Sequence, residues 1–129
     1  MTGVLSGRRI LVVEDEMLVL MNIERALTSL GCSTILVAAT VRQALALLVQ
    51  QPAVDVAIID VNLAGEKSFP VADVLAERRI PFAFSTGCGD HGGRPDFDSR
   101  PVLRKPYVRA SLEAVLMELL NDEPIPAAA

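Results

Sequence analysis

The sequence has no tryptophan, one tyrosine and four phenylalanines. A core must therefore be assembled from Val, Leu, Ile and Ala. It has one histidine and two cysteines, Cys32 and Cys88, and these make no metal-ligand spacing. A zinc site of the Cys/His kind is excluded on that ground. Cys32 follows a helical pattern and Cys88 follows an apolar run, so both are expected as free thiols rather than as a disulfide, which fits a reducing compartment. Basic residues are outnumbered: 12 Lys and Arg against 16 Asp and Glu give a formal charge of -4. That balance offers no basic stripe for nucleic acid, and Arg8-Arg9 and Arg78-Arg79 read as solvated element ends. No apolar run approaches the roughly 20 residues of a membrane span. Glu14, Asp15 and Glu16 interrupt the first apolar stretch, so no signal peptide is indicated. The expected location is the cytoplasm.

What the sequence does have is aliphatic content. Hydrophobic residues make up 51% of its 129 positions, and its mean hydropathy is +0.41. A parallel sheet covered by helices on both faces accounts for this, because its strands are buried on both sides. The length fits one domain, with a core over about 8–121 and a frayed tail over 122–129.

The chain alternates between short β-branched runs and helical patterns. Ile10 to Val13 reads as a strand. Leu20, Ile23, Leu27 and Leu30 repeat at helical spacing, and Gly31 supplies the stop. Ser33 to Val37 is a second strand. Thr40 with Gln43 makes a capping box for a helix whose inner face is Val41, Ala44, Leu45 and Leu48. Val54 to Ile59 is a third strand ending at Asp60, followed by a loop to Ser68 with Gly65 at its turn. Pro70 suits a first helical turn, and Val71, Val74 and Leu75 face inward. Phe82 to Ser85 and Val102 to Arg104 are the fourth and fifth strands. Leu112, Val115, Leu116 and Leu119 stripe the last helix. Met17 and Met21 are expected in or at the edge of the core.

This order predicts an α/β fold: a doubly wound, flavodoxin-like sheet of five parallel strands in the order 2-1-3-4-5. One segment departs from the alternation. Gly87 to Pro101 holds four glycines and two prolines, so helix four should be reduced to a loop or one short turn. Within it, His91 reads as a solvated loop residue. Asp96-Phe97-Asp98 reads as a polar loop with Phe97 tucked inward.

Ligands of such sheets bind beyond the carboxyl ends of the strands. Glu14 and Asp15 follow the first strand, Asp60 the third, Thr86 the fourth and Lys105 the fifth, so the topology brings them to one edge. Carboxylates gathered there repel one another, and a hard divalent cation such as Mg²⁺ resolves the conflict. Lys105 adds a point charge for an anionic oxygen, and Thr86 a short hydroxyl. Asp60, the lone acid ending a buried strand, is the candidate nucleophile for a phosphoryl group.

The layout Val-Val-Glu-Asp-Glu, Ile-Ile-Asp-Val-Asn-Leu, Ser-Thr-Gly and Arg-Lys-Pro-Tyr resembles the receiver domains of bacterial two-component systems, from Arg9 to about Leu120. The resemblance implies that Asp60 is the phosphoacceptor and that Glu14 and Asp15 are the acidic pair, with Asp15 the direct Mg²⁺ ligand. It implies that the Asn62 backbone carbonyl also binds the metal, that Thr86 follows the phosphoryl group, and that Lys105 is the family's lysine, followed by a cis bond to Pro106. A sensor histidine kinase or phosphotransfer protein would be the phosphodonor. Output would pass through a protein partner, or the chain would serve as a phosphate sink or relay.

Two departures stand out. Val102 occupies the position, three before the lysine, where receivers carry an aromatic switch residue. Phe82 to Gly87 is instead similar to the alphaproteobacterial variants of the FATGUY type, whose full signature ends in Tyr where Gly89 stands here. The same residues admit two other functions. A non-phosphorylated pseudo-receiver acting as a protein-binding module would explain Val102. An Asp-nucleophile phosphatase would need a second acid two positions after Asp60, where Asn62 stands.

Overall fold

A computed structural model describes residues 5–51, 53–87, 94–97 and 99–121. Strands β1 (Arg9–Val13), β2 (Thr34–Ala38), β3 (Val56–Asp60), β6 (Phe82–Thr86) and β7 (Val102–Arg104) form a parallel sheet in the order β2-β1-β3-β6-β7. Between β3 and β6 lies a separate antiparallel pair, β4 (Asn62–Leu63) and β5 (Glu66–Lys67). With that hairpin set aside, the order is the predicted 2-1-3-4-5.

Every residue of β3 and β6 is buried, which is why those segments read as unbroken apolar runs. Side chains alternate between two layers. Leu11, Val13, Ala57, Ile59, Phe82 and Phe84 pack against α2 (Val41–Gln50) and α3 (Phe69–Glu77). Ile10, Val12, Val56, Ile58 and Ala83 pack against α1 (Met17–Ser29) and α4 (Arg109–Asn121).

Local sequence explains the helix ends. Thr40 Oγ1 accepts from the Gln43 amide at 3.1 Å, and Gln43 Oε1 accepts from the Ala39 amide at 2.8 Å. The glutamine thus reaches one residue further back than a standard capping box. At the end of α1, the Cys32 amide donates to the Leu27 carbonyl and the Gly31 amide to Thr28, with Gly31 at φ +96°. This is a Schellman motif with glycine at its left-handed position.

The methionine expectation fails. Met17 and Met21 are 67% and 46% exposed. Ile23, Leu27 and Leu30 set the inward phase of α1. At roughly 100° per residue, Met21 lies on the side opposite Ile23, and Met17 is turned away too. The expected loop after Asp60 also differs, since most of it is the β4–β5 hairpin.

The expectation for helix four is met where it can be seen. Residues Pro95–Phe97 form one 3₁₀ turn, while 88–93 and 98 lie outside the described residues, as do Cys88, His91 and the tail from 122. Phe97 is buried, and it joins Phe69, Phe82 and Phe84 in a cluster with centroid spacings of 5.4 to 6.4 Å. Arg94 lies 4.6 Å from the Phe97 ring centre and 5.1 Å from that of Phe69, and it pairs with Asp73 and Asp96. Among the described residues, no helix is long and apolar enough to cross a membrane.

Candidate functional site

The strand register determines which side chains meet. Val13 pairs with Ile59, Asp60 with Ser85, and Thr86 with Arg104. The residues just beyond these pairs therefore share one edge. Asp60 is 6% exposed at the end of β3, Thr86 is 3% exposed at the end of β6, and Glu14, just past β1, is 1% exposed. Asp15, Asp60, Asn62, Thr86 and Lys105 line a common cleft. The five side chains expected to converge do so.

Lys105 joins the acids. Its Nζ donates to Asp60 Oδ2 at 2.9 Å and reaches Glu16 Oε1 at 3.3 Å. It also lies 2.9 Å from Glu14 Oε1, an ion pair without the alignment of a hydrogen bond. Two amides complete the polar frame: Asn62 donates to Asp60 Oδ1 at 3.2 Å, and Glu16 donates to Glu14 Oε2 at 3.0 Å. The Lys105 amide donates to the Thr86 carbonyl at 2.9 Å, tying β7 to β6 at the mouth of the site. The Lys105–Pro106 bond is cis.

Burial dominates the electrostatics of Glu14. It pushes the carboxyl up to about 7, with Asp60 adding to the rise, while Lys105 and the Glu16 amide oppose it. For Lys105, burial acts downward, but the hydrogen bond to Asp60 and the close carboxylate of Glu14 prevail and hold the ammonium above its ordinary value. Behind these groups, burial pushes the Tyr107 hydroxyl up to about 12, with Ser85 beside it and acting the other way.

Carboxylate oxygens of Glu14, Asp15 and Asp60 lie within 4.8 Å of one another. An all-oxygen donor set of this kind fits Mg²⁺, which favours one or two carboxylates and keeps several waters. The adjacent ammonium supplies partial neutralisation without a metal.

The family model for the response regulator receiver domain matches residues 10–92. The chain belongs to the response regulator receiver family. Among solved structures, this receiver domain is similar to SdrG from Sphingomonas melonis Fr1, with 45% identity over 88% of this chain and 96% of that one, at a TM-score of 0.78. It is also similar to the response regulator PhyR from Brucella abortus, with 28% identity, 93% of this chain, 49% of that one and a TM-score of 0.76. The PhyR REC domain from Erythrobacter litoralis shares the fold at 23% identity, covering 96% of this chain and 98% of its own, with a TM-score of 0.81. None of the curated proteins compared with the chain matches it.

Four participants carry little or no signal in the sequence. Glu16 faces Lys105 from the rim; its place as the third acid after β1 was a usable signal. The Ala64 amide donates to Asp15 Oδ2 at 3.0 Å, a backbone contact that no side-chain pattern announces. Tyr107 and Ser85 stand inside the Arg-Lys-Pro-Tyr and Ser-Thr-Gly motifs, which give no sign that the two side chains lie together behind the site. Val102, where receivers carry an aromatic, is half-buried and pairs in register with Phe84.

Proposed function

We propose that this receiver domain takes a phosphoryl group onto Asp60, from a sensor histidine kinase or phosphotransfer protein, in a Mg²⁺-dependent reaction, and that this changes the binding of a protein partner. One observation carries the reading: the Asp60 carboxylate stands among an acid cluster within 4.8 Å and is held by an ammonium at 2.9 Å.

In this reading an Asp60 carboxylate oxygen attacks phosphorus, the donor's P–N bond breaks, and the imidazole leaves with the electron pair. The amide of Asn62 and the ammonium of Lys105 fix the orientation of Asp60 beforehand. Asp15 and Asp60, with the Asn62 carbonyl, would hold the metal, and Glu14 would stand beside them. Mg²⁺ supplies charge neutralisation for the phosphoryl oxygens. Lys105 and Thr86, which line the same cleft, would receive those oxygens once the acyl phosphate has formed. A similar protein, SdrG, is described in a BeF3-activated conformation.

The test is intact mass after incubation with Mg²⁺ and a small phosphodonor such as acetyl phosphate. One added phosphoryl group, lost in Asp60→Asn and in chelator, is expected. No addition, or addition that survives Asp60→Asn, overturns the assignment. No addition at all would favour the second reading, a pseudo-receiver working through its surface, for which Val102 is the motivating residue.

A further inference from the structure

The segment after Asp60 is a tightly closed hairpin. Asn62 pairs with Lys67 and Leu63 with Glu66, so Ala64 and Gly65 alone make the turn. Both have positive φ, +50° and +86°. A two-residue turn with both central residues left-handed is type I′, whose twist matches the flanking strands. The hairpin is anchored at both ends. Leu63 is buried with α2 and α3, and the Ser68 amide donates to the Val61 carbonyl at 2.9 Å. Its tip reaches across the cleft, where the Ala64 amide donates to Asp15 Oδ2 at 3.0 Å. Asp15 itself is exposed, and among the described residues no other hydrogen bond to its carboxylate is seen.

We infer that the Ala64-Gly65 turn is a positioning device for the metal site: its amide fixes Oδ2 of Asp15, a carboxylate with an oxygen within 4.8 Å of oxygens of Glu14 and Asp60. This rests on the metal reading above. The physical argument is pre-organisation. An exposed carboxylate on a short side chain samples several rotamers, and ordering it costs free energy at the moment a ligand arrives. Partners that orient a metal ligand from outside raise affinity; losing one costs typically 10- to 100-fold. The same hairpin also carries Asn62, whose amide holds Asp60 Oδ1. One small element therefore sets two carboxylates of the same cluster. Val61, Leu63 and Ser68 attach it to the body of the domain, so the turn's geometry is transmitted rather than absorbed.

Gly65 is the lever. A Cβ there meets nothing within 4 Å, so a substitution creates no clash. The left-handed φ penalises any L side chain, most of all a β-branched one. Gly65→Val should therefore shift the turn, while Ala64→Asn, which suits type I′, should retain it.

The experiment is a Mg²⁺ titration of the full chain followed by backbone amide shifts in ¹⁵N-labelled wild type, Gly65→Val and Ala64→Asn. Protection of the Ala64 amide from hydrogen exchange is measured in metal-free wild type and Asp15→Ala. Expected results are a protected Ala64 amide that loses protection in Asp15→Ala, Mg²⁺ affinity at least 5-fold weaker in Gly65→Val, and affinity in Ala64→Asn equal to or tighter than wild type. Core amide shifts in Gly65→Val report whether it folds; if it does not, Gly65→Ala replaces it with a smaller expected loss. Equal affinity in the folded glycine variant and wild type overturns the positioning role and leaves the metal reading standing. An Ala64 amide unaffected by Asp15→Ala does the same. No saturable Mg²⁺ response in wild type overturns the metal reading, and this inference with it.

Discussion

Glu14 is the most deeply buried acid of the site. It is 1% exposed, takes an amide hydrogen bond from Glu16, and faces both Asp60 and Lys105. Burial lifts its carboxyl from the ordinary 4.5 to about 7, so the folded chain holds a proton there that the unfolded chain has released. A raised acid is fully tolerated below the unfolded value. Its ionisation then works against the fold as pH rises from about 4.5 through about 7. The stability of the metal-free protein should therefore fall over that window. Lys105, whose shift is also upward, changes ionisation only at far higher pH and does not mask the effect. Urea midpoints in chelator should be lower at pH 8 than at pH 5, and Glu14→Gln should flatten the difference. A midpoint that climbs with pH in the wild type would show that Lys105 overcomes the burial of Glu14.

Among the elements, α1 and α3 close with the same motif but different residues. In α3 the Ile80 amide donates to the Leu75 carbonyl at 2.9 Å and the Arg79 amide to Ala76 at 3.1 Å, which repeats the pattern at Gly31. The left-handed position is here held by Arg79, at φ +58°. A non-glycine residue in that region costs roughly 1–2 kcal/mol, and the extra freedom of an unfolded glycine returns about 0.4–1 kcal/mol of that. Arg79 is exposed, so little packing is lost on removing it. Arg79→Gly should stabilise the domain by about 0.5–1 kcal/mol, read as a higher denaturant midpoint at unchanged slope; an unchanged or lower midpoint would mean that the arginine side chain makes up for its backbone. The α3 closure also marks a limit of sequence reading. Gly31 announced one helix end, but Arg79 carries no such signal. The β4–β5 hairpin was hidden likewise, because Ala64-Gly65 lacks the Asn-Gly or Asp-Gly that advertises a type I′ turn. Helix phase was legible for Ile23 and Leu27 because their spacing repeats, whereas Met17 and Met21 were assigned by residue type and proved exposed.

At the level of the whole molecule, the parallel topology does the assembling. Once five apolar runs are recognised as parallel strands, Glu14, Asp15, Asp60, Thr86 and Lys105 must meet at one edge, so the site was legible before any coordinates. What sequence could not supply is how Lys105 divides itself among three acids, or that a backbone amide serves Asp15. The same topology concentrates negative charge. A chain of formal charge -4 places Glu14, Glu16 and Asp60 around the Lys105 ammonium, with Asp15 in the same acid cluster. If the cluster holds a metal as proposed, function here opposes stability, a common balance at binding sites. Asp15 makes no ion pair with Lys105 among the described contacts, so Asp15→Asn removes repulsion while keeping an oxygen for the Ala64 amide. It should raise the stability of the metal-free protein by about 0.5–1 kcal/mol, or a few degrees in thermal midpoint at this size. Mg²⁺ should reverse the ranking. At about 100 times its dissociation constant, a ligand that binds only the folded state adds roughly 2.7 kcal/mol, and the variant forfeits most of that. Thermal midpoints with chelator and with saturating Mg²⁺ should therefore cross between wild type and Asp15→Asn. A wild type that stays ahead in chelator would mean that the acids are not in net repulsion around Lys105.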